Sequence, residues 1–382
     1  MDPSPSNQKG FGPWPRSWMP WRNSWTAGAG VEQMDRLIVK APSGTYTVSF
    51  GPAIWREAAQ LASAYSQVLV VSDTNVAPLY AERLPFQVLE LWPGEESKSL
   101  EMVAALVDDW ARRGLDRFSL VIALGGGVIG DLVGFAASIY RRGIDYVQIP
   151  TTLVAQVDSG IGGKTGVNTA WGKNLVGTFY QPRAVFIDPS VLETLPEREI
   201  TGGLGEVLKY GVVQDGKLFA QVSRDISAFY QLDLEVAAPV IRRCVEIKAE
   251  IVAADERDLG LRHILNHGHT FGHALERAGG FSFYHHGEAV LLGMLLEARL
   301  AHLLRLLSRE DLVKIEAGLR RVPLEYRFSH LDKGEVLSAL QQDKKNKQGR
   351  ISFILPRQIG SVEEVLLSLE EVEEYWDEVI GA

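Results

Sequence analysis

The chain has 382 residues, 46% of them hydrophobic and 23% charged, and a formal net charge of −9 at pH 7. That length allows two domains with substantial cores, while the acidic balance argues against nucleic acid or an anionic membrane surface as a partner. A single cysteine, Cys244, excludes an internal disulfide framework and fits the reducing cytoplasm, and no apolar run is long enough to span a membrane.

Residues 1–33 differ from the rest in carrying Pro3, Pro5, Pro13, Pro15 and Pro20 and four of the nine tryptophans. Trp14, Trp18, Trp21 and Trp25 fall at helical spacing, which suits an interfacial stripe, but prolines in the same window oppose a continuous helix. A disordered extension is expected. There is no unbroken apolar segment of a secretory signal. Met34 is followed at once by a strand pattern and is read as the functional start.

From 34 to 190 short apolar runs alternate with amphipathic stretches. Leu37–Val39 and Thr45–Phe50 form a hairpin pattern, followed by runs at Val68–Ser72, Val88–Leu91, Leu120–Leu124, Tyr146–Ile149 and Val185–Ile187. Helical patterns at Leu100–Arg113 and Ile129–Ser138 lie between them, so an α/β domain with a mostly parallel sheet is predicted. Beyond 190 the patterns are helical, at Glu199–Val212, Val236–Ala254, Leu265–Ala278, Gly287–Leu304 and Arg309–Leu319. A hairpin from about Asp343 to Leu355 and an acidic helix from about Val362 to Glu378 close an α-helical domain spanning 191–382. A cleft between two such halves is a default place for a site.

Gly125, Gly127 and Gly130 fit G-x-G-x-x-G between a buried strand and a helix start, where the backbone can approach a pyrophosphate. The competing reading is a tight turn that packs helix on sheet. Asp73, Asn75, Glu95 and Lys98 follow strand ends, where an open α/β sheet binds ligands, although Asp73 and Asn75 equally suit a helix cap. Pro150–Asn168 is glycine-rich and carries Lys164, but lacks the first glycine of a P-loop, so a P-loop nucleotide hydrolase is rejected. With Lys173 and Asn174 it makes an anion cradle.

Glu206 and Lys209 share a helix face in apolar surroundings, where a carboxylate is costly unless paired or metal-bound. Arg262–His273 reads as the start of a helix with histidines at 263, 267, 269 and 273. His269 and His273 share a face, whereas His267 and His269 lie about 200° apart. Two imidazoles at that spacing suit a divalent metal, with Glu206, His285 and His286 as further donors. Spacing alone leaves open which histidines ligate. Asp343–Arg350 reads as a basic hairpin tip.

Together these motifs resemble 3-dehydroquinate synthase, within the sugar-phosphate cyclases. The resemblance runs from about Asp35 to the last hairpin, through Gly125–Asp131, Pro150–Thr152, Gln156–Ser159, Gly162–Gly166, Gly172–Asn174, Glu206–Gly211, Arg262–His273 and His286–Val290. It implies a zinc or cobalt ion held by Glu206, His269 and His286. It implies NAD contacts at Asp73, Asn75, Glu95, Lys98, Gly126, Gly127, Val128, Asp131, Thr151, Thr152 and Thr194, with Asp158, Lys164 and Lys173 between cofactor and substrate. Substrate groups are implied at Arg142, Lys164, Asn174, Lys209, Arg262, Asn266 and His273, and at Lys345 in preference to Lys344. The implied reaction turns a heptulosonate phosphate into 3-dehydroquinate and phosphate in a homodimer. Runners-up are another sugar-phosphate cyclase, a metal-dependent dehydrogenase of the glycerol dehydrogenase kind, and a non-catalytic dinucleotide-binding module.

Overall fold

The computed structural model describes residues 35–280, 283–326, 328, 332–342 and 346–381. The extension at 1–33, Met34 and Lys345 lie outside them. In the first half the elements run β1 (Asp35–Ala41), β2 (Gly44–Phe50), α1 (Ile54–Ala62), β3 (Val68–Asp73), α2 (Ala77–Tyr80), β4 (Gln87–Leu91), α3 (Leu100–Arg112), β5 (Leu120–Gly125), α4 (Gly127–Ile139), β6 (Asp145–Pro150), β7 (Lys164–Thr169), β8 (Gly172–Phe179) and β9 (Ala184–Ile187). The second half runs α5 (Glu197–Val213), α6 (Gly216–Arg224), α7 (Ile226–Tyr230), α8 (Leu234–Ala254), α9 (His269–Ala278), α10 (His286–Leu303), α11 (Arg309–Leu319), α12 (Lys333–Gln341), β10 (Ile351–Gln358), β11 (Ser361–Leu367), α13 (Leu369–Glu374) and α14 (Trp376–Ile380).

Among the described residues seven strands form one sheet in the order β1-β2-β9-β6-β5-β3-β4, parallel throughout except for β1. The central strands β5, β6 and β9 are buried almost end to end, as strands covered on both faces must be. Because β4 lies on one side of β3 and β5 on the other, the connections reverse direction there. The crevice outside the ends of β3 and β5 is therefore the ligand position of such a sheet.

The helical half is organised around α10, which is buried from Gly287 to Ala298 while its first residue, His286, stays exposed. Burial of each of Leu291, Leu292, Leu295 and Leu296 contributes about 1.5–3 kcal/mol. Two glycines let other helices reach its main chain. A Cβ on Gly287 would lie 2.0 Å from the Gly202 carbonyl oxygen of α5. On Gly293 it would lie 1.9 Å from the carbonyl oxygen of Gly268, next to α9. These contacts bring the segments carrying Glu206, His269 and His286 together.

Four expectations are corrected. The expected helix Leu265–Ala278 is broken. A 3₁₀ turn covers Leu261–Asn266, Gly268 takes a left-handed conformation (φ 82°), and α9 starts at His269. The Gly-rich stretch before Asn168 is not a loop throughout: from Lys164 it is strand β7 of an antiparallel hairpin, β7–β8. Within the hairpin Gly166 and Gly177 serve close strand approach, since a Cβ on Gly166 would meet the Val176 carbonyl oxygen at 2.6 Å and one on Gly177 that of Thr165 at 2.1 Å, whereas Gly162 and Gly163 before it take positive φ of 92° and 66°. The late hairpin is β10–β11, turning at Gly360 (φ 93°). Lys347–Arg350 do form a tight turn, closed by reciprocal backbone hydrogen bonds of 2.9 Å, but it precedes β10 and is not the tip of the β10–β11 hairpin. Finally, Ser361–Leu367 is a strand where an acidic helix was expected. Val362 and Val365 pair with Pro356 and Phe353, and only the short α13 and α14 follow.

Candidate active site

Three helices each deliver one donor to a single point. Glu206 comes from the middle of α5, His269 is the first residue of α9 and His286 the first of α10. Their ligand atoms all lie within 4.8 Å of one another. Oε1 of Glu206 stands 3.6 Å from Nε2 of His269 and 3.7 Å from Nε2 of His286. Those separations are too long for hydrogen bonds but near the roughly 3.3 Å between ligands of a tetrahedral zinc with bonds of about 2.0–2.1 Å. One carboxylate and two imidazoles are also the donor types zinc takes. The residues fit a divalent ion. Glu206 is 1% exposed whereas the His286 side chain is 42% exposed, so the group opens to solvent on one side.

The expected separation of His267 from this group holds, but not for the helical reason. His267 precedes the break at Gly268 and is fully buried, with Nδ1 2.8 Å from the carbonyl oxygen of Ile354 and 3.0 Å from Glu297. Glu297 also accepts from the backbone of Gly268 at 2.6 Å and of Thr270 at 3.2 Å, which pins the start of α9 and with it His269. His263 faces the backbone of Asp258. His273, one turn along α9, stands with its ring centroid 5.4 Å from that of His269 and 5.9 Å from that of His286.

Cations surround the carboxylates. Lys209 pairs with Glu206 through Oε2, and both are 1% exposed. Asp158 lies in a π-helical turn at Ala155–Ser159, accepting from Lys248 at 2.7 Å and from the Tyr210 hydroxyl at 2.7 Å. Burial opposes ionisation of Asp158, but the charges of Lys248 and Lys209 outweigh it and hold its carboxyl well below the usual range. Burial pushes Lys248 down to about 8 despite Asp158. The buried Arg262 guanidinium donates to the carbonyls of Gly162 and Glu256. Lys164 pairs with Asp258, and Asn266 ends the 3₁₀ turn before His267. Asn174 (φ 54°) donates its backbone N–H to Asn168. Arg142 lies on the exposed turn after α4, in the left-handed region (φ 68°).

The remaining candidates lie at or just after the strand ends on one edge of the parallel sheet. Asp73 ends β3 and accepts from the backbone of Asn75 and Val76, closing a turn ahead of α2, whose N-cap is Val76 and not Asp73 or Asn75 as the capping reading had it. Lys98 pairs with Asp131 at 2.6 Å, and Glu95 accepts from Asn168 at 2.7 Å, beside a cavity of about 340 Å³. Gly126 caps α4 without a side-chain hydrogen bond, and Val128 follows in its first turn. None of Gly125, Gly127 and Gly130 has a positive φ. Their need is closeness, since a Cβ on Gly130 would meet Gln148 at 2.6 Å and one on Gly126 the methyl of Thr152 at 2.9 Å. The buried Thr151 hydroxyl has no partner, and Thr194 bonds the Tyr80 hydroxyl at 2.7 Å. A bare helix N-terminus, a glycine turn and an unpartnered hydroxyl fit a dinucleotide phosphate.

Sequence reasoning missed Lys248, Glu276 and Glu297. Lys248 shares an apolar stripe of α8 with Ile241, Cys244, Val245, Ile251 and Val252, an anomaly visible in the periodicity. Glu297 interrupts the apolar run Ala289–Ala298 in the same way. Glu276 follows His273 by three residues, so its place on that helix face was readable from spacing.

The family models for 3-dehydroquinate synthase N-terminal and 3-dehydroquinate synthase C-terminal match residues 88–202 and 203–346. A 3-dehydroquinate synthase of Alkaliphilus metalliredigens is 44% identical over 347 residues, covering 89% of this chain and 97% of its own. Among solved structures, a 2-epi-5-epi-valiolone synthase of Streptomyces hygroscopicus with NAD⁺ and Zn²⁺ bound has a TM-score of 0.80 at 32% identity, covering 94% and 99% of the two chains. A 2-deoxy-scyllo-inosose synthase complexed with carbaglucose-6-phosphate, NAD⁺ and Co²⁺ has a TM-score of 0.79 at 26% identity, covering 89% and 99%.

Proposed function

The chain belongs to the 3-dehydroquinate synthase family, and from that premise we propose that it is a phosphate-eliminating carbon–oxygen lyase. Its substrate is 3-deoxy-D-arabino-heptulosonate 7-phosphate and its products are 3-dehydroquinate and phosphate, a step of the shikimate pathway towards aromatic amino acids. The observation that carries the reading is the convergence of Glu206, His269 and His286 from three helices, with Lys209 and Asp158 beside them. The alternative cyclases are represented among the similar structures at 32% and 26% identity, below the 44% of the dehydroquinate synthase relative.

In this reading residues 34–190 hold NAD and residues 191–382 hold the metal and much of the substrate site. Glu206, His269 and His286 would hold zinc or cobalt, and the β3, β5 and β6 ends with the start of α4 would hold NAD. Bound there, the two groups would supply a Lewis acid for the reacting hydroxyl and a hydride acceptor that is restored within each cycle. The chain's own side chains position and neutralise. Lys164, Lys209, Arg262 and Asn266 supply donors for the phosphate and carboxylate, with Arg142, Asn174 and Lys345 assigned to the same task by resemblance. Proton transfer is assigned to His273 by resemblance, and its ring stands 5.4 Å from that of His269. A ketone two carbons from the phosphate-bearing carbon acidifies the C–H between them, so the C–O bond to phosphate breaks by β-elimination and the leaving phosphate can take that proton itself. Ring opening and an intramolecular aldol closure then need orientation and excluded water rather than a strong protein base. The resemblance also supports a homodimer working in the cytoplasm. Among the described residues no helix is long and apolar enough to cross a membrane.

The test is phosphate release from the heptulosonate phosphate with zinc and catalytic NAD⁺ present, while NADH absorbance is followed in the same cuvette. Stoichiometric phosphate without net NADH is expected. Net NADH would point to a dehydrogenase, and turnover of hexose or sedoheptulose phosphates in its place to a sister cyclase.

A further inference from the structure

The Glu276 carboxylate is 2% exposed and divides its oxygens between two partners. Oε2 lies 3.3 Å from Nδ1 of His286, and Oε1 accepts from Nζ of Lys173 at 3.0 Å. His286 turns its other nitrogen, Nε2, towards Glu206 at 3.7 Å. One carboxylate thus joins β8, α9 and α10. A neutral imidazole carries one N–H, and a carboxylate at Nδ1 fixes the proton there, leaving the lone pair of Nε2 to face Glu206. The ammonium of Lys173 competes for the same carboxylate charge and adds a positive charge close to the histidines.

We propose that Glu276 is a positioning residue that presents Nε2 of His286 to a divalent cation, and that Lys173, on its other oxygen, weakens that presentation. Cation affinity and the placement of Lys173 are then coupled through one carboxylate. The inference rests on the reading that Glu206, His269 and His286 hold the ion. The alternative role for Glu276 is direct ligation, because His273, Glu276 and His286 also converge within 4.8 Å. Lys173 opposes a cation there.

The test is a Zn²⁺ titration of the metal-stripped full chain against a chelating dye at fixed pH. It compares wild type, Glu276→Gln, Lys173→Met, the double variant and Glu206→Gln. Glu276→Gln should bind about 10–100-fold more weakly, the range for loss of such a partner. Lys173→Met should bind several-fold more tightly, the opposite sign, and by less in the Glu276→Gln background than in wild type. A purely structural role for either residue would not produce opposite signs. Affinity of Glu276→Gln within about twofold of wild type, or weaker binding by Lys173→Met, would overturn the proposal. So would a second zinc per chain in Lys173→Met, which would make Glu276 a ligand. Should Glu276→Gln fail to fold, Lys173→Met still decides the sign, since its lysine is partly exposed. If instead wild type binds no zinc, or Glu206→Gln binds it as wild type does, the metal reading itself fails.

Discussion

Replacing Lys209 with methionine keeps a long apolar side chain and removes the ammonium that faces Glu206. Both groups are 1% exposed, so water cannot take the place of the lost charge. Breaking a buried pair by removing one partner costs about 3–5 kcal/mol, because the other is left uncompensated. The loss falls on Glu206, since the other acid near Lys209, Asp158, keeps Lys248 and the Tyr210 hydroxyl. A divalent ion between Glu206 and the two histidines would restore positive charge at the same carboxylate. The assay is urea unfolding of the metal-stripped protein by circular dichroism, with and without Zn²⁺. Without metal the variant should lose about 3–5 kcal/mol, and zinc should recover more in the variant than in wild type. A metal-free variant within about 1 kcal/mol of wild type would refute the reasoning. The pH dependence has a definite sign. Burial opposes the Lys209 ammonium, but Glu206 and Asp158 outweigh it and raise its pKa above the ordinary 10.5. The folded chain therefore holds this proton more tightly than the unfolded one. The pair's contribution is complete below about pH 10.5 and is lost only as pH rises through the folded pKa.

Two other substitutions probe the frame around this pair. Gly287→Ala places a methyl against the Gly202 carbonyl oxygen, so α5 and α10 must part. It should cost about 1–3 kcal/mol and weaken zinc binding, whereas Gly44→Ala, with nothing within 4 Å of its Cβ, should change neither. Equal zinc affinity in Gly287→Ala would show that helix contact does not set the ligand spacing. Asp158→Asn removes a carboxylate whose pKa lies well below 3.8 in the folded chain. Its stabilisation is complete above about pH 4 and is lost as pH falls through the folded pKa, so wild type and variant should converge in acid. Stability curves that stay parallel down to pH 3 would contradict that assignment.

Much of this was legible in the sequence because it was written as pattern. The buried runs that became β3, β5, β6 and β9 have no alternative as surface strands, and His269 with His286 stood in motifs whose order matched a family. What escaped notice depended on contacts distant in sequence. The break at Gly268 follows from the main chain of α10 passing within reach, since a Cβ there would meet the Val290 carbonyl oxygen at 2.7 Å. No local propensity carries that information. That Gly166 lies in a strand was not readable locally, because a glycine required by a facing strand and one required by a ligand are the same letter. The acidic run at Ser361–Leu367 became a strand because β10 offered an edge, and tertiary pairing outweighed the helical preference of its glutamates.

The contacts at Gly202, Gly268, Gly287 and Gly293 are made by main chain, so the spacing of Glu206, His269 and His286 is inherited from the backbone and not negotiated by side chains. A binding cluster built this way keeps its shape when the ion leaves, with Lys209 already on Glu206 as a resident counter-charge. Loss of metal is then an exchange reaction rather than an unfolding event. With the ion held there as proposed, a cell short of zinc would retain a folded, refillable pool instead of a population exposed to proteolysis.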